Sequence, residues 1–185
     1  ATGFAPGVSA HTIQVGGVDR DYRLYVPDGL PKSAPLVVML HGWTGSAEQA
    51  QREYGWDEQA DSTKFVVAYP DGVGGSWNAD GCCGQASKDK VDDVGFITAA
   101  VRNITEKLDI DKTRIYAAGI SNGGIMAYKL AATPTFFSRP SGRTRPLNSL
   151  PARRRARRRC CTSTAPTTAW SATTGNPGPP CRSRP

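Results

Sequence analysis

The chain has 185 residues and a formal net charge of +7, which is long enough for one domain with a hydrophobic core. It holds no apolar run long enough to cross a bilayer. The charge is unevenly placed: up to Ser121 there are 11 Lys+Arg and all 16 Asp+Glu, and from Asn122 onward 12 Lys+Arg with no acid and no histidine, so the overall basicity does not argue for a nucleic-acid partner.

Residues 11–15 and 22–26 alternate polar and apolar, with Gly16-Gly17 and the polar Asp19-Arg20 between them. This predicts an antiparallel edge hairpin. The continuous apolar run at 35–40 suits a central strand buried on both faces, and it leads straight into His41-Gly42-Trp43-Thr44-Gly45. Ser46, with Glu48 and Gln49 behind it, predicts the N-cap of one helix reaching Gln59. A second buried strand at 64–69 ends at Pro70-Asp71-Gly72. The Gly-rich stretch 73–90 carries Trp77-Asn78 and Cys82-Cys83, and its length makes it a binding-surface loop. Asp92-Asp93 precede a helix predicted over 94–108, acids favouring its N-terminus. Residues 114–118 form the third buried strand. Strand and helix in this alternation imply an α/β domain with a mainly parallel sheet and helices on both faces.

Gly119-Ile120-Ser121-Asn122-Gly123 fits G-x-S-x-G, the nucleophile elbow of serine hydrolases. The spacing has a chemical reason. A serine at a sharp strand-to-helix turn holds its hydroxyl clear of the backbone, and glycines beside it admit chain too close for a Cβ. The helix that follows aims its free N–H groups at the reaction centre. The bland alternative is a helix N-cap serine.

After Leu130 neither helical nor strand periodicity survives. Pro134, Pro140, Pro146 and Pro151 recur, and six arginines crowd residues 153–159, which reads as a disordered basic tail. Such a run also suits an anionic surface, but no aromatic residues interleave it. The five cysteines include the vicinal pairs Cys82-Cys83 and Cys160-Cys161. No histidine accompanies them, so no zinc site is expected. Cys82 or Cys83 reads equally as a disulfide partner or a free thiol.

Leu40-His41-Gly42-Trp43-Thr44-Gly45, Tyr69-Pro70-Asp71-Gly72, Ser76-Trp77-Asn78, Cys82-Cys83-Gly84, Val91-Asp92-Asp93-Val94-Gly95-Phe96 and Gly119-Ile120-Ser121-Asn122-Gly123-Gly124 follow one another in a single order. Together they resemble the secreted polyhydroxybutyrate depolymerase and feruloyl esterase family, of the lipoprotein LpqC type. The resemblance spans roughly the first 130 residues. It implies an α/β-hydrolase fold over residues 1–132, truncated after the elbow, and carboxylic-ester hydrolysis without metal or organic cofactor, outside the cell. The family's nucleophile matches Ser121, and its oxyanion donors match the backbone N–H groups of Trp43 and Asn122. Trp77 and Asn78 are expected to line an acyl or aromatic pocket, with plain packing as the competing reading of Trp77. His41 is placed with them on the substrate side, and a structural role competes there too. Asp71, Asp92 and Asp93 read as turn and capping residues.

The family also implies a Ser-Asp-His triad whose acid and histidine follow the serine, and after Ser121 this chain has neither. The two histidines, His11 and His41, both precede it. A shift of frame is the expected explanation. Joining the last codon base of each residue from Arg159 to Ser171 to the first two of the next permits Leu-His-Ile-His-Gly-Thr-Asp-Asp-Arg-Leu-Val, much like the family's acid-bearing segment. Cys160 to Cys161 allows only Leu at its step and, with TCN serine codons, Trp170 to Ser171 allows only Val. The nucleotide sequence across residues 125–140 is expected to show a one- or two-base shift near 131–135. Early stops in the alternative frame would exclude it.

Overall fold

The structure, a computed structural model, describes residues 3–133. The expectations for the basic tail, for Cys160, Cys161 and Cys181 and for the shifted frame fall outside those residues. Strand β1 (Gly7–Val15) turns through Gly16 and Gly17, both at positive φ, into β2 (Val18–Val26). This is the two-residue connection that matches strand twist. Asp19 and Arg20 therefore belong to the second strand and not to the loop. Strand β3 (Ala34–Leu40) leads to α1 (Ala47–Glu53) and α2 (Trp56–Thr63), then to β4 (Val66–Pro70). The single helix expected to reach Gln59 is two, because Gly55 takes φ 69° and breaks it. A 3-10 turn at Val73–Gly75 and helix α3 (Gly84–Lys88) lie within the stretch read as loop. Helix α4 (Asp93–Lys107), strand β5 (Ile110–Gly119) and helix α5 (Asn122–Ala132) complete the described chain.

The strands lie in the order β1-β2-β4-β3-β5. β3 pairs in parallel with β4 and β5, and β2 pairs antiparallel with β1 and β4. All strands but β2 thus run one way. Alternation along β3 and β4 sorts the core into two layers. Leu36, Val38, Leu40, Val66 and Ala68 face Phe96, Ile97, Ile104 of α4 and Met126, Leu130 of α5. Met39, Val67 and Tyr69 face Ala47, Ala50 and Ala60 of α1 and α2. Period two in a strand makes this sorting automatic, and it explains why both runs read as wholly apolar. Among the described residues no helix is long and apolar enough to cross a membrane.

One ion pair lies inside this frame. Arg20 of β2 meets Asp93 at 2.7 Å, with side chains only 7% and 0% exposed. The guanidinium lies 4.0 Å from the centre of the Phe96 ring and also donates to the Asp71 carbonyl. The other Asp93 oxygen accepts the Asn78 N–H at 2.7 Å. Removing one partner of a buried pair strands the other charge, typically for about 3–5 kcal/mol. Asp93→Ala is expected to lose stability on that scale in urea denaturation, while Asp92→Ala, which removes only an exposed cap to Gly95 N–H, loses about 1 kcal/mol.

Candidate active site

The site stands where β5 ends and α5 begins. Ser121 takes φ 51° and ψ −117° and its side chain makes no capping bond to the helix. Ser121 is thus the N-cap residue by position, its carbonyl taking the Ile125 N–H at 3.0 Å, but its hydroxyl does no capping. Such a backbone is strained for a residue with a Cβ, by about 1–3 kcal/mol, and it leaves the hydroxyl exposed at the apex of the turn. The turn closes because Gly119 and Gly123 lack side chains. A Cβ on Gly119 would lie 2.4 Å from Gly123 carbonyl atoms, and one on Gly123 would lie 2.3 Å from the His41 carbonyl oxygen.

The segment leaving β3 crosses directly above. A Cβ on Gly42 would sit 3.8 Å from the Ser121 Cβ, so Ser121, the Gly42–Trp43 peptide and Asn122 converge. Among the described residues no hydrogen bond occupies the N–H of Trp43 or of Asn122. Asn122 begins an 11-residue helix, whose first N–H groups have no helical acceptor. The Gly42 carbonyl takes the Gly45 N–H at 3.1 Å and lies 2.8 Å from His41 Nδ1. In a planar trans peptide C=O and N–H point opposite ways, so holding that carbonyl inward turns the Trp43 N–H outward.

His41 and Trp77, expected beside a substrate, lie beneath the site instead, while Asn78 is half-buried. His41 and Trp77 are 0% exposed. The Gly72 N–H donates to His41 Nε2 at 2.9 Å, so that nitrogen carries no proton and Nδ1–H donates to the Gly42 carbonyl. Burial lowers the His41 pKa, against the opposing pull of the Gly42 carbonyl and the Asp71 carboxylate. The contact of Nε2 with Asp71 at 3.7 Å is therefore not an ion pair. The Asn78 side-chain amide donates to the Val91 carbonyl, and its own carbonyl accepts Lys129 Nζ at 2.8 Å. Asp71, read as a turn residue, also accepts the Ala47 N–H at the start of α1.

Neither histidine reaches Ser121. The His41 ring is committed on both nitrogens. His11 lies on β1, four strand spacings across the sheet from β5, about 19 Å at ~4.8 Å per spacing, and its Nε2 meets Ser9 Oγ at 2.6 Å. Among the described residues no cluster of His, Cys, Asp and Glu is arranged to hold a metal. Cys82 is bonded to its neighbour Cys83. The large apolar side chains nearest the serine in sequence and in the crossing loop, Ile120 and Trp43, are exposed, at 48% and 56%. The buried Arg20–Asp93 pair was not legible as part of the site's foundation. Paired aspartates before a helix look like caps, and only Asp92 is one.

A family model described as esterase PHB depolymerase matches residues 20–141. A protein of Nocardia uniformis subsp. tsuyamanensis bearing an esterase name, NocK, is 37% identical over 134 residues, covering 70% of this chain and 39% of its own length. Feruloyl esterase C of Emericella nidulans is 31% identical over 141 residues, covering 69% of this chain and 48% of its own. The chain thus spans less than half of these curated relatives. The crystal structure of S-formylglutathione hydrolase from Staphylococcus aureus superposes with a TM-score of 0.56 at 16% identity, covering 71% of this chain and 54% of that one. At such identity the likeness establishes the fold alone, an α/β-hydrolase.

Both histidines have pKa values lowered by burial, His11 with help from Lys107. The unfolded chain takes up these protons below about pH 6.5 while the folded chain resists, so their contribution to stability is complete above that pH and lost as pH falls through and below it. Urea midpoints are expected to drop between pH 7.5 and pH 5, and His41→Gln is expected to flatten part of that slope.

Proposed function

The chain belongs to the esterase PHB depolymerase family, a family of carboxylic ester hydrolases, and from that premise we propose that Ser121 is the nucleophile of a serine esterase carried here without its general base. The observation that carries the reading is the Ser121 backbone, strained and uncapped, beneath two unoccupied N–H groups. In this reading Ser121 Oγ attacks the acyl carbon and the carbonyl oxygen becomes an oxyanion between the N–H groups of Trp43 and Asn122. The alcohol departs, and water then releases the acid from the acyl-enzyme. The hydroxyl proton needs an acceptor, and among the described residues neither histidine supplies one. Among the described residues no group is placed to act as that base, and impaired activity is part of this proposal.

The substrates proposed are polyhydroxyalkanoate or feruloyl esters. Trp43 and Ile120, both exposed, offer apolar surface to either. Work outside the cell is part of the same proposal, and the resemblance to secreted depolymerases and feruloyl esterases is what supports it. A second reading, a ligand-binding remnant, is favoured by the missing base. One experiment separates them. Prolonged exposure to a fluorophosphonate is expected to label the protein slowly at Ser121, and a short-chain p-nitrophenyl ester is expected to be cleaved slowly, within the ~10³–10⁴-fold over water that survives loss of a triad member. Ser121→Ala is expected to abolish the label and to change the residual rate little, since that rate comes from the oxyanion hole and binding. No label at Ser121, with no ester cleavage above the water rate, would leave only the binding remnant.

A further inference from the structure

The side chain between the two donors is Trp77, which no substrate can touch. It is 0% exposed, and it bonds to both halves of the site at once. Its indole Nε1–H donates to the His41 carbonyl at 2.9 Å, two residues before Trp43 on the crossing loop. Its backbone N–H donates to Asn122 Oδ1 at 2.7 Å, and its carbonyl accepts from Asn122 Nδ2 at 3.2 Å. Asn122 Nδ2 also reaches the Cys82 carbonyl at 3.1 Å. The Asn122 side chain, 1% exposed, is thereby consumed in holding its own backbone in place. The His41 carbonyl is pinned between the Trp77 indole and the bare Cα face of Gly123, where an added Cβ would sit 2.3 Å away.

Two N–H donors serve one oxyanion only if their separation is fixed. One comes from the loop after β3 and the other from the first turn of α5. These segments are far apart in sequence, and the β3–β5 ladder, which ends with the Ile120 N–H on the Leu40 carbonyl at 3.2 Å, holds the strand ends but stops short of the two donors. Trp77 spans them with three hydrogen bonds in a dry setting. Such bonds are stronger there than in water, and leaving one buried partner unsatisfied is expensive. The strut is itself anchored, because the next residue, Asn78, is held by Asp93, Val91 and Lys129.

We propose that Trp77 is a positioning residue that sets the distance between the oxyanion donors at Trp43 and Asn122, through its indole bond to the His41 carbonyl and its backbone pairing with the Asn122 side chain. The inference rests on the esterase reading of Ser121 and goes beyond it, since it assigns the site's precision to a residue outside the reacting groups. It also replaces the expectation that Trp77 lines a substrate pocket.

The test removes the indole N–H alone. Trp77→Phe does so with some loss of volume. Replacement of Trp77 by benzothienylalanine keeps the fused ring and covers the case in which the smaller ring fails to fold. Each protein is assayed with a p-nitrophenyl ester and with its thionoester, whose larger, weaker-accepting sulfur gains little from a tight pair of N–H donors. A misplacement of about 1 Å can cost ~10²-fold, and loss of a donor ~10²–10³-fold. The expected result is a fall of roughly 10–100-fold in the oxygen-ester kcat, less than threefold for the thionoester, and little change in KM. A merely structural role would depress both esters together. An equal fall for both, or no fall in either, overturns the proposal. Failure of the underlying reading appears separately, as a protein that takes no fluorophosphonate at Ser121 and cleaves the oxygen ester no faster than water does, and it would take the strut down with it.

Discussion

The site exists because α5 begins closer to the end of β3 than any side chain would allow. Gly123 lies against the Leu40 and His41 carbonyl oxygens, and an added Cβ would meet them at 2.5 and 2.3 Å. Gly119 lies against Gly123 in the same way. The two glycines bring together a strand end, a helix start and the crossing loop. Everything chemical in the site follows from that approach: the exposed Ser121 hydroxyl, the orphan N–H groups at the first turn of α5, and the Gly42–Trp43 peptide overhead. Close packing transmits displacement, so a methyl group at either position would move the donors as well as the helix.

Beneath this contact runs a chain of polar groups, buried at the Arg20–Asp93 end and reaching the surface at Asp80, that links distant parts of the fold. Arg20 from β2 holds Asp93 at the start of α4, Asp93 holds the Asn78 backbone, and Lys129 of α5 closes on the Asn78 carbonyl and on Asp80. Three elements far apart in sequence thus converge on one loop. Buried polar networks of this kind are costly when half satisfied and rigid when complete. This one is complete at each group named, and it carries Trp77 at its end. Trp77 is therefore held from both sides, which is why a residue that looked like a pocket wall is interior.

The fold was largely legible because its central strands are apolar on both sides and its helices begin at recognisable caps. Ser46, Asp92 and the G-x-S-x-G turn all stand where their local chemistry predicts. The misreadings have two causes. Gly55 broke a helix that amphipathic spacing alone would continue, through its own backbone. Arg20 joined a strand although its charge suggested a loop, and Trp77 and His41 went inward although each looked like a surface residue, and for these the deciding partner lay many residues away: Asp93 for Arg20, Asn122 for Trp77, Gly72 for His41. No local pattern encodes such a partner. The serine was legible because its requirement, a tight bend between small residues, is local.

The backbone at position 121 has a further meaning. A glycine there would relax a conformation that serine adopts only under constraint, and the domain would become more stable while losing its hydroxyl. The locally preferred residue and the reactive one are in direct opposition at this single position. Thermal robustness and a free hydroxyl therefore pull this one position toward different residues.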